Sequence, residues 1–99
     1  MATEIKNETE LDAFKGNHEI SLVKFSAAWC GPCKMLTPIL NGLDTLNVAS
    51  VDIDEAPELA TEYGVTSVPT VVFFKNGVAL ESIVGVQPGP KYISAAAGL

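Results

Sequence analysis

Short apolar runs alternate with amphipathic segments along the whole chain, and that alternation restricts the fold more than any other feature. "EISLVKFSA", "NVASVDI", "TVVFFK" and "ALESIVG" read as strands. The first is almost continuously apolar, as suits a central strand covered on both faces. Helical segments lie between them. "NETELDAFKG" has Asn7 to cap it, Glu10 three residues on, Gly16 to end it, and Leu11 and Phe14 on one face. The segment from the cysteines through "KMLTPILNGL" reads as a helix ending near Gly42, with Pro38 expected to kink it. "APELATEYG" puts Pro57 in a first turn and Gly64 past the end. Asn76-Gly77 is a strong hairpin signal, and "PKYISAAAG" can close as a short helix. With a brief extended piece at the N-terminus, the order is β-α-β-α-β-α-β-β-α. Strands alternating with helices imply parallel crossovers, and the hairpin adds an antiparallel edge. The expected fold class is α/β, a three-layer α/β/α sandwich, as one domain over residues 1–99.

Composition narrows the function. Hydrophobic residues make up 47% of the chain, enough for a packed core. No apolar run is long enough to span a bilayer. The net charge is -6 and every basic residue is a lysine, so phosphate backbones are repelled and nucleic acid is not an expected ligand. Two cysteines and a distant His18 do not make a zinc set, and no metal is expected. The start, "MATEIKNETE", lacks the basic residues and apolar core of a secretory signal, so a cytoplasmic location is expected.

The two cysteines are the chemistry. "WCGPCK" falls where the strand "LVKFSA" runs into a helix. Ligand sites in open α/β sheets lie at that end of the strands, and a helix N-terminus there favours a thiolate. Cys30 would sit at the helix start, exposed and nucleophilic. Cys33, one turn in, would be more buried and close a disulfide with it. Pro32 suits a first turn, and Gly31 leaves the approach open and lets the backbone turn sharply. A purely structural disulfide is a poor alternative, because so short a loop gives little chain-entropy stabilisation. Two inert buried thiols are the other alternative, and Gly-Pro is poor shielding for them.

"WCGPCK", "MLTPIL", "VDID" and "LATEYGVTSVPTVVFFKNG", in that order, resemble the thioredoxin family over nearly the whole chain. The resemblance implies a thioredoxin-like fold and a general dithiol–disulfide oxidoreductase, with Cys30 attacking and Cys33 resolving. It implies a cis Pro69 facing the cysteines and a Val68 backbone that pairs with a substrate strand. Trp29, Gly31, Pro32 and Gly85 would border a shallow apolar groove, and Asp54 would hydrogen-bond Trp29. No bound cofactor is implied. Electrons would come from an NADPH-dependent flavoprotein, thioredoxin reductase. Targets would be disulfides such as those of ribonucleotide reductase, peroxiredoxin or methionine sulfoxide reductase. A monomer is the default. The competing class is a binding module, or an assembly subunit, that uses the same groove without needing the redox step. Other readings of single residues stand beside these: Pro69 as a trans residue opening an edge strand, Trp29 as ordinary packing, Gly85 as a bulge or turn.

Lys24 departs from the family, which usually carries a buried aspartate here, assigned to proton transfer with the buried thiol. Alternation places Leu22, Lys24 and Ser26 on one face of the strand. A buried ammonium is costly. Three outcomes follow: the stem snorkels to water at the sheet edge, the amine loses its proton and serves as a base for Cys33, or it stays charged and stabilises a thiolate.

Overall fold

The computed structural model describes residues 3–99, so the first two positions of the expected 1–99 domain lie outside it. The described elements run β1 (Thr3–Ile5), α1 (Glu8–Gly16), β2 (Ile20–Ser26), α2 (Gly31–Asn41), β3 (Asn47–Asp52), α3 (Pro57–Glu62), β4 (Thr70–Lys75), β5 (Val78–Val84) and α4 (Gly89–Ala97). They form a five-stranded sheet in the order β1-β3-β2-β4-β5.

β1, β3 and β2 are parallel, while β4 runs antiparallel to β2 and β5 antiparallel to β4. The crossover expected between β3 and β4 is therefore absent. The reason is length. A six-residue α3 rises only about 9 Å, too little to carry the chain back along a strand of roughly 20 Å. The chain stays at the end of the sheet where β3 left it, and Thr70 enters opposite Phe25. The ends of β2, β3 and β5 and the start of β4 thus share one edge.

Two cores cover the two faces of the sheet. Leu11 of α1 and Leu59 of α3 pack on Val23, Phe25, Val51, Val72 and Phe74. Leu36 and Leu40 of α2 and Tyr92 and Ala96 of α4 pack on Leu22, Val71, Phe73 and Ile83. The period-two alternation of β2 and β4 assigns these residues to their faces. Local signals set the ends. The Asn7 side chain accepts from the Glu10 N–H at 2.9 Å, and Glu10 Oε1 accepts from the Lys6 N–H at 2.7 Å. Gly16 is the last residue of α1, and Asn17 follows as the cap in right-handed geometry. Asn76 (φ 51°) and Gly77 (φ 83°) turn the hairpin, as the positive-φ residues of a two-residue loop must.

Candidate active site

β2 ends at Ser26, and after three intervening residues Cys30 stands as the N-cap of α2. Cys30 donates its N–H to the Ala27 carbonyl at 3.1 Å, which tightens the turn. Its sulfur accepts the Cys33 N–H at 3.2 Å, the bond an N-cap oxygen usually takes. Pro32, second in the helix, has no N–H to leave unpaired. Cys30 and Cys33 form a disulfide with their Cα atoms 5.3 Å apart.

The expected exposure of Cys30 is not observed. Cys30 is 4% exposed and Cys33 3%. Ala27 packs with the pair, and Ile53 and Val68 close on it from neighbouring loops, so the bonded sulfurs are covered alike. Gly31 also differs from expectation. Its φ is not positive and a Cβ there would meet nothing, so no sharp backbone turn requires it. It leaves open space beside Cys30.

The surroundings come from the shared sheet edge. Trp29 is 69% exposed, and its indole N–H donates to Asp54 Oδ2 at 2.9 Å. Asp54 is held in turn by its own N–H, which donates to Asp52 Oδ1 at 2.8 Å. The Val68–Pro69 bond is cis. Gly85 has φ +87°, a region that favours glycine, and its N–H donates to the Pro69 carbonyl at 2.8 Å. Trp29, Gly31, Pro32, Val68, Pro69 and Gly85 thus come from three chain segments tied to one edge.

Tyr92 is a residue the sequence reading missed. It is fully buried, accepts the Gln87 N–H at 3.2 Å and donates to the Gly85 carbonyl at 3.4 Å. Burial pushes its hydroxyl pKa up, and the Gln87 N–H opposes this. Helical spacing with Ala96 marks it as a core residue; nothing local shows where the hydroxyl goes.

Lys24 lies beneath α2 and is 7% exposed. Nζ donates to Thr37 Oγ1 at 2.8 Å, and the Thr37 hydroxyl donates to the Cys33 carbonyl at 3.2 Å. Burial lowers its pKa. A cavity of about 170 Å³ opens beside it and is also lined by Cys33, Ser50 and Asp52. His18 stacks edge-on against Phe14, well away in the α1–β2 loop. Among the described residues, no group of three or more His, Cys, Asp or Glu is placed to hold a metal, and no helix is long and apolar enough to cross a membrane.

The family model described as Thioredoxin matches residues 2–96. Thioredoxin of Alicyclobacillus acidocaldarius is 40% identical over 81 residues, which is 77% of this chain and 76% of that one. The chloroplastic M-type thioredoxin of Spinacia oleracea is 46% identical over 72 residues, 68% of this chain and 40% of its own length. The chain therefore spans less than half of that longer relative. Among solved structures, a mutant thioredoxin from Halobacterium salinarum NRC-1 superposes with a TM-score of 0.94 at 36% identity, covering 98% of this chain and 88% of that one.

Proposed function

The chain belongs to the thioredoxin family and is a dithiol–disulfide oxidoreductase, and from that premise we propose that it is a general reductase of protein disulfides, with Cys30 attacking and Cys33 resolving. The observation that carries the order is the placement of Cys30 at the N-cap of α2, its sulfur on the Cys33 N–H. Partial positive charge at a helix start favours a thiolate there.

In the reduced protein the Cys30 thiolate attacks a target disulfide and releases one target sulfur as a thiolate, which takes a proton from solvent. Cys33 loses its proton and attacks the Cys30 sulfur. The mixed disulfide breaks, the second target sulfur leaves, and the Cys30–Cys33 disulfide forms. Two electrons have passed to the target. They are restored by an NADPH-dependent flavoprotein, thioredoxin reductase. Trp29, Gly31, Pro32, Pro69 and Gly85 border the docking groove, and the Val68 backbone pairs with an extended target segment. Asp54 holds Trp29 in place. Ribonucleotide reductase, peroxiredoxin and methionine sulfoxide reductase are the target classes. The protein works in the cytoplasm as a single-domain monomer.

The test is the rate at which the reduced protein cleaves a protein disulfide, followed from acid to alkaline pH. A rate that rises through a depressed thiol pKa and vanishes in Cys30→Ser supports the reductase. A negligible rate at every pH, with both thiols free and the fold intact, overturns it in favour of a binding module.

A further inference from the structure

Lys24 is a buried cation whose hydrogen-bond partner is a hydroxyl. Among the described residues no carboxylate lies within 4.0 Å of its ammonium. A buried charge without a counter-ion is expensive, and folds seldom carry one unused. The cavity beside it gathers the nearby charged groups. β1 brings Glu4, with Lys6 just past its end; α2 brings Lys34; β3 brings Asp52, and Glu55 follows it. β4 brings Val71, which is uncharged. Among the described residues, with Lys24 counted, the cavity wall holds as many lysines as carboxylates, and none of those acids closes on Lys24. Among the described residues of this wall, Cys33 is the one group that can newly ionise to an anion once the disulfide is reduced.

We propose that the Lys24 ammonium is the positioning residue of the resolving step, holding the Cys33 thiolate as its counter-ion across the shared cavity. The proposal rests on the assignment of Cys33 as the resolving thiol. Two features carry it. The cavity is lined in part by charged and hydroxyl-bearing side chains, among them Ser26, Thr37 and Ser50, and is roomy enough for ordered water, which gives a proton leaving Cys33 a route to solvent. The chain from Nζ through the Thr37 hydroxyl to the Cys33 carbonyl fixes the amine to the same helical turn as the sulfur. By charge alone a carboxylate at this position would oppose a thiolate at Cys33, whereas an ammonium favours it. The order of events is then definite. Cys33 releases its proton through the cavity, the thiolate attacks the Cys30 sulfur, the bond from Cys30 to the target breaks, and the departing target thiolate is protonated by solvent. The same ion pair stabilises the reduced dithiol, so it makes the protein a weaker reductant than the neutral variant.

The experiment uses the full chain with Lys24→Met, Lys24→Gln and Lys24→Arg. Three quantities are read in each: the pH at which Cys33 ionises, from the NMR shift of its β-carbon; the rate of target release from a mixed disulfide at Cys30; and the equilibrium with glutathione. In Lys24→Met and Lys24→Gln the Cys33 ionisation moves up by about one pH unit or more, and resolution slows about tenfold near neutrality, the rates converging at alkaline pH. The glutathione equilibrium shifts about tenfold toward the protein disulfide. Lys24→Arg keeps the charge and restores the wild-type pH profile. An unchanged Cys33 ionisation in Lys24→Met overturns the proposal, and so does a changed unfolding midpoint with no change in that ionisation, which is the mark of a merely structural lysine. Attack by Cys30 on a target disulfide is measured separately. Its absence in the wild type would sink the reductase assignment instead.

Discussion

Lys24 changes what a buried charge costs this fold at different pH. Burial lowers its pKa from the ordinary lysine value of 10.5. Between the lowered folded value and 10.5, the unfolded chain binds the proton that the folded chain has shed. Stability therefore rises with pH across that window. The penalty is fully present below the folded pKa and is gone above the unfolded one. In the oxidised protein the cysteines do not titrate, so the effect can be isolated. Lys24→Met is expected to be the more stable form at neutral pH, since a buried apolar side chain replaces an uncompensated ammonium. Its advantage in urea unfolding should shrink as pH climbs toward 10.5. A constant advantage across that range would mean that packing, and not charge, separates the two proteins.

Among the elements, α4 does more for the site than its distance from the cysteines suggests. It packs Tyr92 parallel to Phe73, with ring centroids 6.4 Å apart, and sends the hydroxyl to the segment that carries Gly85 and Gln87. That segment is one border of the proposed groove. Tyr92→Phe keeps the ring and leaves the Gln87 N–H without its acceptor. The expected cost is about 1 kcal/mol of stability, with faster amide exchange at Gln87 while β2 stays protected. An exchange pattern unchanged at Gln87 would show that the hydroxyl does not hold the loop. The α1 cap, the Asn76-Gly77 turn and the two faces of β2 were legible in the sequence because each is a local matter, decided within a few residues. The direction of β4 was not, since it depends on how far α3 can carry the chain. The Tyr92 hydroxyl and the Lys24 ammonium were legible only as problems. Their partners, Gln87 with Gly85 and Thr37, are set by how α4 and α2 settle on the sheet. Cys30 was misjudged for a similar reason: its cover comes from Ile53 and Val68, on other loops.

The molecule as a whole carries twelve acidic residues against six lysines. A partner first meets that net charge of -6, and only at contact the local charges around the disulfide. The two differ in sign on one side of the site, where exposed Lys34 directly follows Cys33. Screening separates them. At low ionic strength the field of the whole chain reaches far beyond a residue's length, whereas near 0.15 M it fades within about 8 Å. The reduced protein should therefore cleave a cationic small disulfide such as cystamine faster than the anionic disulfide of glutathione at low salt. The ratio of the two rates, each divided by the rate for reaction with free dithiothreitol, should fall as salt is added, because steering acts on encounter and not on the exchange step. A ratio that does not respond to salt would place the discrimination in the groove itself, among Trp29, Pro69 and Gly85, and would remove net charge from the account of how this protein chooses its targets.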